Sequence, residues 1–268
     1  MVILMVCKID GINVHYERLG NNQKRAIIYL HGWGQNTIMM EPIAKPFYDE
    51  FDTIVVDLPG FGDSEEPKRV YTVYDYAECI YKLCKKLNVS NPILIGHSFG
   101  GKVSLVFASK YGASKLILFG SPFKKEIEKL SLKTKILKQA KKIRLINRFS
   151  EVAKRHIGST DYRSASAIMR EILVSTVNLD ITSDVKKITC PTLIVWGDLD
   201  AAVPLEDAYT LEGLIKDAAV IVYEGCTHYA YLENLGQTIS IIGSFVRSWL
   251  YVTTIYCFFI NGICIYYY

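Results

Sequence analysis

A serine hydroxyl reacts at neutral pH only when a neighbouring base takes its proton and a third group holds that base in the right tautomer. Ser98 stands in Gly96-His97-Ser98-Phe99-Gly100, between the apolar run 92–95 and a stretch 102–110 with apolar residues at Val103, Val106, Phe107 and Ala108. The first reads as a short buried strand and the second as an amphipathic helix, so the serine falls on a strand-to-helix turn. Glycines two residues to either side let such a turn close tightly and present the hydroxyl at the sheet edge, the arrangement called a nucleophile elbow. A base and a carboxylate should follow in the order serine, carboxylate, histidine. Of the five histidines, His15, His31 and His97 precede Ser98, which leaves His156 and His228. His156 lies in a lysine-rich helical stretch and reads as a solvated face residue. His228 follows the strand-like run 219–223, on a loop at a strand's end. The strand-like run 192–196 is followed by Gly197-Asp198-Leu199-Asp200, and spacing alone leaves both aspartates open as the orienting carboxylate. The other would bond local backbone amides, as loop aspartates do.

The elements that must position these residues form a regular series. Strand-like runs near 26–30, 53–57, 92–95, 115–119, 192–196 and 219–223 alternate with helical stretches, which predicts a mostly parallel sheet with helices on both faces. Residues 8–17 alternate like one half-exposed hairpin strand, with residues 1–8 feeding into it. The 268 residues, half of them apolar, suffice for one large α/β domain with a full core. Seven cysteines without a Cys-x-x-Cys pair argue against a disulfide scaffold or a zinc site and favour a reducing cytoplasm. The first eight residues lack the basic lead and length of a secretory signal.

Further motifs stand in order around Ser98. His31-Gly32 follows the early strand in Leu30-His31-Gly32-Trp33-Gly34; Asp57-Leu58-Pro59-Gly60-Phe61-Gly62-Asp63-Ser64 forms an Asp-x-x-Gly-x-Gly-x-Ser turn; Gly197 and Asp200 make Gly-x-x-Asp; Gly225 and His228 make Gly-x-x-His. In these four motifs the chain resembles the α/β-hydrolase fold family, in its serine-nucleophile members with a helical cap. The resemblance implies a mostly parallel eight-stranded α/β sheet with an inserted all-helical cap. It divides the chain into a first core part (1–121), a cap (122–185), a second core part (186–250) and a tail (251–268), with the match itself covering 8–121 and 186–250. It implies a triad of Ser98, Asp200 and His228, selecting Asp200 over Asp198. It also implies an oxyanion hole from the backbone N–H groups of Trp33 and Phe99, such donors being worth about 3 kcal/mol each in acyl transfer. Some members carry the acid after the sixth strand, but here Gly120-Ser121-Pro122 holds no carboxylate. Members with an aspartate nucleophile are disfavoured by serine at 98. His31, His97 and Asp57 are expected to hold loops, and the Trp33 indole either lines the acyl pocket or packs structurally. No cofactor or metal is implied.

Charge is distributed unevenly. Residues 122–158 carry twelve Lys or Arg against three Glu, a local +9 in a chain of net +4, so the remainder is about −5. Apolar residues at Leu132, Ile136, Ala140 and Ile143, then Leu145, Ile146, Phe149 and Val152, recur at helical spacing, so the segment reads as amphipathic helix. Three uses compete for it: a solvated lid face, a funnel for an anionic acyl substrate, or attachment to an anionic membrane. No nucleic-acid-binding motif accompanies the charge. Arg163 and Arg170 are candidates to grip a substrate carboxylate bidentately, or else to hold the cap to the core. The last eighteen residues contain no charge but fall just short of the roughly 20 apolar residues a span needs; they read as a tail anchor or an extension. The expected activity is hydrolysis of an ester, thioester or amide of a small acyl substrate in the cytoplasm, with membrane association through the tail or basic cap as the alternative location. The rival functions are a ligand-binding receptor or signalling partner on the same fold, and a lyase or perhydrolase using the same triad.

Overall fold

The computed structural model describes residues 3–20, 25–125 and 165–248. Eight strands form one sheet: β1 (Ile3–Ile9), β2 (Ile12–Leu19), β3 (Ala26–Leu30), β4 (Asp52–Val56), β5 (Ile93–His97), β6 (Lys115–Phe119), β7 (Thr192–Gly197) and β8 (Ala218–Tyr223). Their spatial order is β1-β2-β4-β3-β5-β6-β7-β8. Only β2 runs against its neighbours; β4, β3 and β5 to β8 are parallel. The sheet is therefore the mostly parallel, eight-stranded one that the resemblance implies.

The strands between β4 and β8 are β-branched and buried on both faces, as a parallel sheet covered by helices requires. Period-two alternation sorts their side chains into two cores. Ile28, Leu30, Ile54, Val56, Leu94, Leu116, Leu118, Ile194 and Trp196 join the helices α1 (Val73–Lys86), α2 (Phe99–Tyr111), α3 (Ala167–Asn178) and α4 (Leu205–Leu214). Ile27, Tyr29, Val55, Ile93, Ile95, Ile117, Phe119, Leu193 and Val195 face the turn Glu41–Ala44 and helix α5 (Leu235–Arg247).

Two local expectations are corrected. Residues 8–17 are not one strand: Ile9 pairs with Ile12 across the two-residue turn Asp10-Gly11, both at positive φ, and alternation simply continues through it. The sheet accordingly begins at Ile3. Helix α2 is not amphipathic, because every residue from Phe99 to Ala108 is buried. Lys102 is only 1% exposed and Ser104 fully buried, and both are hydrogen-bonded. The Lys102 ammonium donates to the carbonyls of Thr176 (2.8 Å) and Leu179 (2.6 Å), meeting the orphan carbonyls at the end of α3.

The chain leaves the core near Phe123 and returns at Ile181, whose N–H donates to the Phe123 carbonyl at 2.8 Å. The described part of the insertion, α3 and the turn Thr182–Val185, is helical. It is tied to the core by Tyr74 O–H on Asp184 (2.6 Å) and Ser166 O–H on Glu66 (2.9 Å). Most of the basic segment, and the tail, lie outside the described residues. Among the described residues no helix is long and apolar enough to cross a membrane, and Cys7, Cys79, Cys84, Cys190 and Cys226 are free thiols.

Candidate active site

The parallel strands point their carboxyl ends to one edge, and the loops leaving β3, β5, β7 and β8 carry Trp33, Ser98, Asp200 and His228. Ser98 follows β5 directly, at φ 50° and ψ −114°, the one residue between strand and helix. That conformation is rare for any side chain other than glycine and costs about 1–3 kcal/mol, held in place by its surroundings. The Ser98 N–H donates to the Phe119 carbonyl on the neighbouring strand at 2.8 Å, and Gly100 N–H to the His31 carbonyl at 3.0 Å. A Cβ on Gly100 would sit 2.2 Å from the Leu30 carbonyl oxygen, so glycine there is what lets α2 start against β3. The serine side chain, half-buried, is thus fixed from both sides by backbone.

His228 and Asp200 meet: Nδ1 of the imidazole lies 2.7 Å from Asp200 Oδ2. The carboxylate side chain is 1% exposed and the imidazole 16%. Asp200 Oδ1 is occupied by the N–H groups of Ala202 (2.8 Å) and Val203 (2.9 Å), so the carboxylate is aimed by its own loop. Asp198 is exposed and accepts the Gly225 N–H at 2.7 Å, bracing the loop that leads to His228. The structure therefore brings Asp200, and not Asp198, to the histidine.

Gly120, at the end of β6, approaches this pair closely. A Cβ there would lie 2.9 Å from His228 Nδ1 and 3.1 Å from Asp200 Oδ2, and its φ is +49°. The place where some hydrolases carry their acid is thus the backbone wall against which imidazole and carboxylate pack.

Phe99 is the first residue of α2, where backbone N–H groups have no partner within the helix. The Trp33 N–H, in the turn after β3, meets no backbone acceptor among the described residues. The Trp33 ring, half-buried, stands edge-on to Phe61 (centroids 4.9 Å apart) and Phe99 (5.3 Å), and Phe99 in turn to Tyr76 (4.9 Å). Met169 of α3 covers Gly60 beside this aromatic group. Arg170, next along α3, is half-buried; Arg163 and His156 lie outside the described residues.

His31 and Asp57 hold loops. Fully buried, His31 accepts the Leu58 N–H on Nε2 (3.0 Å) and donates from Nδ1 to the Gly32 carbonyl (2.7 Å). Burial lowers its pKa to about 4, so the ring is neutral. Asp57 accepts the N–H groups of Thr37 (2.7 Å) and Asp63 (2.9 Å) and contacts His15 Nδ1 (2.8 Å). His15, Asp57 and Asp63 bring metal-ligand atoms together. Asp57 already spends Oδ1 on the Thr37 N–H and Oδ2 on the Asp63 N–H and His15, which makes this a clamp between the 57–64 loop, β2 and the segment after β3.

A fold of this topology with an elbow, an aspartate after β7 and a histidine after β8 defines a class of protein. The chain belongs to the alpha/beta hydrolase fold family, whose sequence profile matches residues 25–130 and 121–235, and it is a hydrolase of that family. It is similar to the hydrolase YugF of Bacillus subtilis, 26% identical over 86% of this chain and 88% of that one. It is also similar to the pimeloyl-[acyl-carrier protein] methyl ester esterase of Pseudoalteromonas atlantica, 28% identical over 77% of this chain and 88% of that one. Among solved structures, the esterase EaEST of Exiguobacterium antarcticum superposes with a TM-score of 0.72 at 24% identity, over 92% of this chain and all of that one.

Proposed function

We propose that this protein is a serine ester hydrolase working through an acyl-enzyme. The observation that carries the reading is the part-buried 2.7 Å contact between Asp200 and His228, on loops at the same sheet edge as the strained Ser98. In this reading Asp200 holds the His228 proton on Nδ1 and leaves Nε2 free to take the Ser98 proton. Ser98 Oγ attacks the ester carbonyl, and the N–H groups of Trp33 and Phe99 hold the oxyanion. Protonation by His228 releases the alcohol, leaving the acyl group on Ser98. A water molecule, deprotonated by His228, then frees the acid. The aromatic group of Trp33, Phe61 and Phe99 suits an apolar acyl chain.

In this reading the +9 charge that the sequence carries over 122–158 serves to raise the local concentration of an anionic or carrier-linked ester. The Pseudoalteromonas relative, named for an ester on an acyl carrier protein, supports that substrate class. Incubation with a fluorophosphonate should yield one adduct, and peptide mass spectrometry should place it on Ser98. An adduct elsewhere, or none on an active preparation, refutes the serine mechanism. On paired neutral and anionic esters, raising ionic strength should lower kcat/KM for the anionic member alone; equal salt response dismisses the funnel.

A further inference from the structure

Two side chains outside the triad join its loops. His97, the last residue of β5, immediately precedes the serine and is fully buried. Its Nε2 lies 3.0 Å from the backbone carbonyl of His228, and its Nδ1 3.2 Å from Oε1 of Gln35. Gln35 Oε1 also accepts the Gly32 N–H at 3.0 Å, one residue before Trp33. The Gln35 amide nitrogen donates to the hydroxyl of Tyr229, next to His228, at 3.3 Å. These four contacts connect the elbow, the Trp33 loop and the base-bearing loop: Gln35 and His228 lie 62 and 131 residues from His97, and Gln35 and Tyr229 lie 194 residues apart.

The chemistry of the ring suits this place. A neutral imidazole carries one N–H and can serve one acceptor at a time. Gln35 Oε1 already has the Gly32 amide, and the His228 carbonyl is the nearer acceptor, so the network assigns the proton to Nε2; the 3.2 Å approach of Nδ1 to Gln35 Oε1 is then a packing contact without a hydrogen bond, and Gln35 is held by the Gly32 N–H and Tyr229. Neutrality matters because the His97 ring lies 4.8 Å from the His228 ring, centroid to centroid. A cation there would oppose the imidazolium that forms on His228 during attack. Burial, and then the neighbouring His228, push the His97 pKa down to about 3. Tyr229 and Tyr231 cover its remaining ring contacts at 5.4 and 4.8 Å, so the groups around it from the β8 side are uncharged phenols.

Resting on the hydrolase reading above, we propose that His97 and Gln35 are positioning residues that fix the base-bearing loop relative to the nucleophile and the oxyanion donors. They touch no reacting atom. They set where the His228 imidazole stands when it receives the serine proton, and so should act on kcat rather than on substrate binding.

Turnover of a p-nitrophenyl ester by purified variants tests this. His97→Phe keeps the ring volume and removes both nitrogens; kcat should fall roughly tenfold with KM little changed, the loss expected from one positioning hydrogen bond. His97→Gln puts an amide N–H close to where Nε2 was and should recover most of that loss. Gln35→Met, at a half-buried site where folding is under less threat, should lower kcat by a similar factor. The double variant should lose less than the product of the single losses, since His97 through the His228 carbonyl and Gln35 through the Tyr229 hydroxyl hold the same loop. Wild-type kcat in both single variants overturns the proposal, as does a His97→Gln as impaired as His97→Phe. Should His97→Phe fail to fold, Gln35→Met decides alone. Activity surviving in Ser98→Ala instead overturns the hydrolase mechanism itself, a result these variants do not produce.

Discussion

Replacement of Ser98 by alanine is expected to lower kcat for ester hydrolysis about 10⁶-fold while leaving KM close to its original value. The hydroxyl is the only atom removed, and alanine inherits the same φ of 50°, so neither the elbow nor its strain changes. The Phe119 and His31 carbonyls still hold the flanking amides. Substrate should therefore still bind against the aromatic group formed by Trp33, Phe61 and Phe99. What is lost is the acyl-enzyme route; what remains is whatever stabilisation the Trp33 and Phe99 amides give to direct attack by water, about 10³–10⁴ over the uncatalysed rate. Steady-state kinetics on a chromogenic ester, with the variant expressed where no contaminating esterase is carried through, measures this. A loss below a hundredfold would show that Ser98 is not the nucleophile.

How far this site is legible in the sequence depends on the range of the interactions involved. The elbow, the Asp57 turn and the loops after β7 and β8 are written in consecutive residues, because a turn is built from the conformations of its own backbone. The two carboxylates of the β7 loop could not be separated by spacing. What separates them is the loop's internal bonding: Asp200 spends Oδ1 on the amides two and three residues ahead and turns Oδ2 to His228, whereas Asp198 reaches back to Gly225. Gln35 shows only the short-range Gly32 bond of its own turn; the residues it meets across the site, His97 and Tyr229, lie 62 and 194 residues away, and it reaches them because β3, β5 and β8 end at one edge of the sheet. Gly120 was visible as the absence of a carboxylate but not as the wall behind His228. In α2 the apolar spacing over 102–110 predicts an amphipathic helix, whereas the insertion's return at Thr176 and Leu179 covers its other face and supplies acceptors for Lys102. The merged strand over 8–17 failed for the opposite reason: a two-residue turn preserves alternation, so periodicity alone cannot see it.

Asp200→Asn should lower kcat about 10⁴-fold, and Asp198→Asn should stay within about twofold of the native enzyme. The asymmetry follows from the hydrogen bonds. In Asp200→Asn the side-chain oxygen has reason to remain on the Ala202 and Val203 amides, which can pair only with an acceptor. That leaves the NH₂ group facing His228 Nδ1 at the position of Oδ2. A donor there forces Nδ1 to accept, the ring proton moves to Nε2, and the nitrogen that should receive the serine proton already carries one. The geometry survives while the tautomer is wrong, so KM and thermal stability should change far less than kcat. Turning the amide over would rescue the tautomer only by setting NH₂ against the N–H groups of Ala202 and Val203, donor against donor, at a cost of about 1 kcal/mol for the part-buried Val203 donor left unmet. Asp198→Asn meets no such conflict, since its oxygen can keep accepting the Gly225 N–H. Measuring kcat for both variants on one ester separates the two aspartates; a large loss in Asp198→Asn with a small one in Asp200→Asn would reverse the assignment of the acid.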